Sequence, residues 1–506
     1  MSKAKRILVC ALVMVFPASV VSAKSLPAED PPPPPPAQTP PPAQTPAQAP
    51  SNNNPQGNPQ GNPQGNQPLP GSLNGGNVGA LPPSTFNNFN PNQVGQISND
   101  ALGSFKPTQL GALPPSAMSG FNQQQMGALP PEAMAGMKPD QFKAISPNAM
   151  AGFKPEQMNA MPPSAFGSMN QNQMKAISPD AMAGMSPDQF RAMPVGAIGG
   201  LKPDQIGAMS PEAFGNMSAN QFKAIPPSAM AGFNPNQVGA LPPQAFAGFN
   251  QQQIGLMPPD AFGAMKPAQV GAMSPQAFGG LKPNQVGAMS PEAFGAMKPS
   301  QLGAMSPQAF GAMSPEQMGA MPPSAMGGMK PGQVTVLSPE AFAKLFPEQA
   351  AAFTAAAVAS MKPAQVGAMS PEAFGAMKAT QVGAISPQAI GALNSEQVKE
   401  MSPTAVGALK PTQVANMTPT ATGGLEPEQV NKMQPASVGA LKPTQISEMS
   451  PDAIGAMTSK QLSSLKSASA SGFTEEQLAA LTDAQKAALK ADFKAKLTVA
   501  QKEALG

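Results

Sequence analysis

The sequence predicts an all-α fold, an elongated solenoid of very short helices, each begun by a proline. Three observations carry this. An eight-residue frame, counted with Pro82 at position 1, runs without insertion to Leu505, which makes 53 octads. Proline stands at position 2 of most octads. Positions 5 and 8 are apolar almost throughout, with Gly, Ala or Ser at 6 and 7. "SPEAFGAM" and "KPSQLGAM", Ser290 to Met305, show the pattern twice.

Ala, Met, Gln and Glu favour helix, yet proline inside a helix costs about 3 kcal/mol and a hydrogen bond. At the first helical position proline costs little and supplies a preset φ. Ser or Thr before it can cap, and Gln at position 4 falls at the third helical position, where it can reach back to the capping residue's N–H. Each octad therefore reads as about one and a half helical turns ending in a bend. Positions 5 and 8 share one face, and small residues at 6 and 7 permit close approach of backbones. A β-solenoid would need alternating Val, Ile and Thr, which this composition does not offer. One octad buries two large side chains, worth roughly 3–6 kcal/mol, against roughly 12 kcal/mol to order eight residues. Stability must come from stacking, as in a solenoid whose coils touch only their neighbours.

The frame survives its least regular passage, "FPEQAAAFTAAAVASM", where Phe346 and Thr354 both fall at position 1. Octads also alternate. Those beginning at 82, 98 and 114 usually carry Ala at position 4, whereas the others carry Gln in all 25 cases from Gln93 to Gln477. The sequence unit is thus sixteen residues, and the expectation is two helices per coil and about 26 coils. The solenoid is expected over 82–457. Residues 458–506 lack proline and are richer in Lys, Ala and Leu, which reads as a helical cap with longer helices.

Ahead of the repeat, Lys3, Lys5 and Arg6 precede the apolar run "ILVCALVMVF" and the small residues Ser22 and Ala23. This reads as a secretory signal over 1–23, cut after Ala23, and too short for a membrane span. Cleavage removes three cations, taking the formal charge from +3 to zero. A neutral chain without a basic block lacks the electrostatic footprint of a nucleic-acid binder. Residues 24–81, with "PPPPPPAQTPPP" and then "NPQGNPQGNPQG", read as a disordered polyproline and Gly/Asn linker acting as a spacer.

The only cysteine, Cys10, lies in the signal, and His, Trp and Tyr are absent. Metal sites built on Cys or His, and nucleophiles activated by His, are excluded. No acidic pair is singled out for acid/base work. No enzyme, no cofactor and no metal site is expected. Of the 36 methionines, the 34 within the repeat occupy positions 5 and 8 interchangeably with Phe, Leu, Val and Ile, as core filling does. Lysine recurs at position 1 of the Gln octads, and Lys266, Lys282, Lys298 and Lys330 are the candidate binding residues, expected on one edge. Glu212, Glu292, Glu340 and Glu372 are expected to form lines of their own. Two sequons, Asn216-Met217-Ser218 and Asn416-Met417-Thr418, place Asn at a usually small position.

At "SPEQMGAM", "FPEQAAAF" and "TEEQLAALTDAQ" the chain resembles the octapeptide repeats of large secreted or surface-attached microbial proteins. The resemblance implies a surface or matrix role. The expected function is accordingly a secreted structural or adhesive repeat protein at the cell surface, wall or matrix. Its partners would be a wall or matrix polysaccharide, or further copies of itself. The alternative is a soluble secreted effector that binds a host or partner protein through its repeats.

Overall fold

The computed structural model describes Leu73 and residues 78–506, all within one compact unit, Gln64–Gly506. The signal, its cleavage after Ala23, and most of the linker expected over 24–81 lie outside the described residues. Among the described residues there is no strand. The chain is a succession of α- and 3-10 helices of three to seven residues, one per octad, and the solenoid is the fold.

Each octad folds as its residues dictate. Proline takes the first helical position, as at Pro283–Ala288 and Pro291–Ala296. Between these helices, Met289 at position 8 (φ −69°, ψ 140°) and Ser290 at position 1 (φ −68°, ψ 148°) are both extended. Two extended residues make the corner, and the next proline restarts the helix. Phe346 and Thr354 start helices Pro347–Ala352 and Ala355–Ala359, so the irregular passage keeps the frame.

Packing departs from the expectation of two helices per coil. Each helix contacts the helix 24 residues on: Pro283–Ala288 meets Pro307–Phe310, Pro371–Gly375 meets Ser395–Glu400, and the pattern holds along the stack. The coil is therefore three octads, and the 53 octads make just under eighteen coils. Two short helices per coil would require a reversal at every corner, whereas a two-residue extended link turns the chain less sharply and closes a three-sided coil. The interior is filled by positions 5 and 8 of every octad, nearly all fully buried, together with Ala at position 4. Aromatics at position 5 meet from coil to coil, as Phe142 and Phe166 do at 5.4 Å between ring centroids. The methionines at positions 5 and 8 lie in this core.

The glutamines at position 4 are buried too, and they do two things at once. Gln285 Oε1 accepts from the N–H of Lys282 (2.8 Å), capping its own helix. Its Nε2 donates to the carbonyls of Ile254 and Met257 (both 2.8 Å), 31 and 28 residues back at the corner of the coil beneath. All twenty-four glutamines of this series from Gln109 to Gln477 make the same two donations, at 2.6–3.3 Å. Where position 1 is Asn, as at Asn122, its Oδ1 also accepts from the Gln125 N–H and the capping box is reciprocal. Lysine has no acceptor, so behind Lys282 the Gln285 N–H goes to the Lys282 carbonyl instead.

Because three is odd, every Gln octad stacks on Ala octads above and below. The small Ala leaves the corner open for the glutamine amide. Near the C-terminus the alternation lapses, and Gln485 stacks over Gln461. Its side chain becomes partly exposed and donates to Gly455 and Met457 rather than to a position 5 carbonyl.

Both ends differ from expectation. Val78–Ala80 is already helical with Val78 buried, and Gln109 bonds the carbonyls of Val78 and Leu81, so residues 78–81 belong to the stack rather than the linker. At the other end the helices are not longer: Glu475–Ala479, Asp483–Ala488, Ala491–Ala495 and Val499–Leu505 keep to five to seven residues. What changes there is position 5, which is Lys486, Lys494 and Lys502 on the three sides of the last three octads, where earlier octads carry a buried residue.

Substitutions at two kinds of position test this packing. Gln285→Ala leaves the buried Met257 carbonyl and the Lys282 N–H without their partners, while the Ile254 carbonyl keeps the Met257 N–H, and should cost about 2–4 kcal/mol, read as faster hydrogen exchange in the two coils it joins. Gln285→Glu sets a carboxylate against those carbonyls, raising its pKa in the fold. A raised pKa gives stability that is present at low pH and lost as pH rises, so this variant should melt highest near about pH 4 and lower by about pH 7. The parent should change little over that range, since no Asp, Glu, Lys or Arg is buried among the described residues. Equal profiles would overturn the assignment. The second prediction concerns close approach: a Cβ on Gly136 would stand 1.9 Å from the Pro107 carbonyl oxygen, whereas one on Gly196 meets nothing within 4 Å. Gly136→Ala should destabilise by about 1–3 kcal/mol, and Gly196→Ala should stabilise by up to about 1 kcal/mol, both checked by thermal melting.

Candidate interaction surface

Position 1, at the corner, is where the candidate lysines stand, and all of them are exposed. A side chain there lies over position 6 of the octad four steps earlier. The Cε of Lys282 comes within 4.0 Å of a Cβ built on Gly255, and Lys399 pairs with Glu426 at 3.8 Å with the same offset of 27 residues. The small residues at position 6 give the lysine stems a bed, leaving the ammonium groups in water.

The expectation of one lysine edge is corrected by the coil. Lysines sixteen residues apart in a 24-residue coil fall on successive sides, and the same side returns only after 48. Call the sides first, second and third, for octads beginning at 82, 90 and 98 and every 24 residues on. Lys298 lies on the first, Lys282 and Lys330 on the second, and Lys266 on the third. The glutamates also separate: Glu372 on the first side, Glu212 on the second, Glu292 and Glu340 on the third.

What the coil brings together is more specific. Six successive octads of the second side, from Lys282 to Leu409, stack directly and carry Lys282, Lys330 and Lys378 with no acidic residue. Asp260 bounds this strip below and Glu426 and Glu428 above. Within it, Val336 is 42% exposed, and Ala355, Ala356 and Ala359 are exposed on the one octad of the strip that has no charge and no proline. At its lower end Leu256, 47% exposed, shares a shallow groove with Pro258, Pro259, Lys282 and Asn284. The strip is thus partly apolar and uniformly basic. Reading every third octad would have found it, but the sequence offers no reason to read in threes.

The third side carries mainly the opposite sign at the same height, between Lys266 below and Lys362 above, with the exposed Lys344 as the one cation within it. Glu292, Glu316 and Glu340 stand at position 3 of three successive stacked octads, all exposed. Glu340 is held below the usual carboxylate range by its own backbone N–H and by the Ser338 hydroxyl. Elsewhere, Phe346 is 59% exposed at a corner, alone. Asn216 and Asn416 of the two sequons are exposed, with Asn416 Nδ2 donating to the Thr412 carbonyl. No helix among the described residues is long and apolar enough to cross a membrane.

No protein-family model matches the chain, and no curated protein is similar to it. Among solved structures, one similarity is to the leucine-rich repeat-containing protein LegL7 of Legionella pneumophila. It has 13% identity over half of this chain and 85% of that one, with a TM-score of 0.14, too low to bear on fold or function.

The strip predicts a directional electrostatic effect. Changing Lys282, Lys330 and Lys378 to Gln should lower the salt needed to elute the protein from an acidic resin. The drop should exceed that from changing Lys138, Lys266 and Lys298, the same charge drawn from other places on the stack. Equal shifts would show the lysines acting singly.

Proposed function

We propose that this chain is a secreted, non-enzymatic repeat scaffold with a structural or adhesive role at a cell surface, wall or matrix. The observation that supports the reading is where the polar chemistry goes. The buried glutamines of the series are spent on holding coil to coil, and no buried side-chain nitrogen or oxygen among the described residues is left without a partner. The outer surface repeats one low-charge octad many times over. Such a surface favours many weak contacts with a repeating ligand, whose combined strength comes from multiplicity. The basic strip suits a polyanionic wall or matrix polysaccharide, and a long, sparsely charged spacer at 24–77 would carry the scaffold away from its point of export.

Fractionation of the producing cells tests this. The protein should be recovered in the wall or matrix fraction and be released by raising salt to about 0.5–1 M, where exposed charges are screened within about 3–4 Å. Recovery from the culture medium alone, with none in the wall fraction, would overturn the structural role and favour a soluble effector.

A further inference from the structure

The basic strip of the second side and the acidic column of the third side match in spacing as well as sign. Lys282 and Lys330 are 48 residues apart, two coils along the second side. Glu292 and Glu340 are also 48 residues apart, two coils along the third. With one copy's second side laid against another's third side and the two stacks antiparallel, the facing octads run in the same direction, so that Lys282 stands opposite Glu340 and Lys330 opposite Glu292. Glu316, midway, then faces the coil of Ser306 and Gln308, which offer a hydroxyl and an amide. Close approach is open to both faces, because their other outward residues are mostly Pro, Gly, Ala, Ser and Thr. Val336 and the alanines of 354–361 give the strip an apolar portion that stands in water in a single copy.

We propose that the second side between Lys282 and Leu409 is a lateral docking surface for a second copy of this chain, which presents Glu292, Glu316 and Glu340. The contact joins two different faces. Each copy in a pair therefore keeps one face free, and the assembly grows sideways rather than closing as a dimer. Exposed ion pairs are individually weak, so association should be shallow in concentration and reversed by salt. The inference goes beyond the surface role proposed above and does not depend on it, since it concerns the purified chain alone.

Sedimentation velocity of the secreted chain tests it, over about 1–200 µM and at about 0.02 and 0.5 M salt. The average mass should rise with concentration at low salt and return to the monomer at high salt. Lys282→Glu with Lys330→Glu should stay monomeric, as should Glu292→Lys with Glu340→Lys. All four sites are exposed, so each variant should keep the parent's circular dichroism. Mixing the two variants places acid against base again and should restore growth. A parent that is monomeric throughout at low salt overturns the proposal, as does association that both variants retain. A monomeric parent that still binds an acidic glycan through Lys282 and Lys330 overturns it also, and leaves the surface role standing.

Discussion

The stack depends on one side-chain amide repeated at its corners. A glutamine at position 4 caps the helix it belongs to and clamps the corner beneath, with one oxygen and one nitrogen divided between the two tasks. Asparagine would be a methylene short of spanning both, and glutamate would bring no donor to the lower corner. The amide is also neutral, so burial carries none of the desolvation cost of a charge. The stack's polar fastening is therefore indifferent to salt and little affected by pH, while the charges that respond to salt sit outside, on the surface.

Much of this was legible in the sequence. The unbroken frame, the proline at the first helical position and the apolar pair at 5 and 8 specify short helices that cannot stand alone. The double role of Gln285 is implied by its place three residues after the cap and by the need to satisfy its amide. The number of helices per coil was not legible. Every octad buries the same two positions, so the apolar pattern is identical whether two, three or four octads complete a coil. The visible alternation has a period of two octads, and two does not divide three. Reading that alternation as the coil puts Lys266, Lys282 and Lys298 on one edge, when their corners are on three different sides. Val78 reads as linker because its octad, "NGGNVGAL", has no proline, although Val78 and Leu81 stand at positions 5 and 8.

The surface inherits its character from these requirements. Position 1 must be extended and is never buried, position 2 must suit a helix start, and positions 6 and 7 must be small where coils approach closely. Little freedom remains beyond positions 1 and 3, which is where most of the charges are found. An acid-free strip or an acidic column therefore arises only from which octads happen to be stacked, and it exists in the folded chain alone.

The mismatch between a sixteen-residue sequence unit and a 24-residue coil also bears on how such a chain can lengthen. Duplicating one sequence unit keeps Gln over Ala throughout and so leaves the fastening intact, but it turns everything downstream by two-thirds of a revolution. Duplicating one coil preserves the facing of the downstream octads, yet brings Gln over Gln at the join, as Gln485 stands over Gln461 and Gln501 over Gln477. Only a 48-residue duplication leaves both unchanged. A lineage growing by the easiest step would keep its core while shuffling its exterior, so that close relatives could fold alike and display unrelated faces.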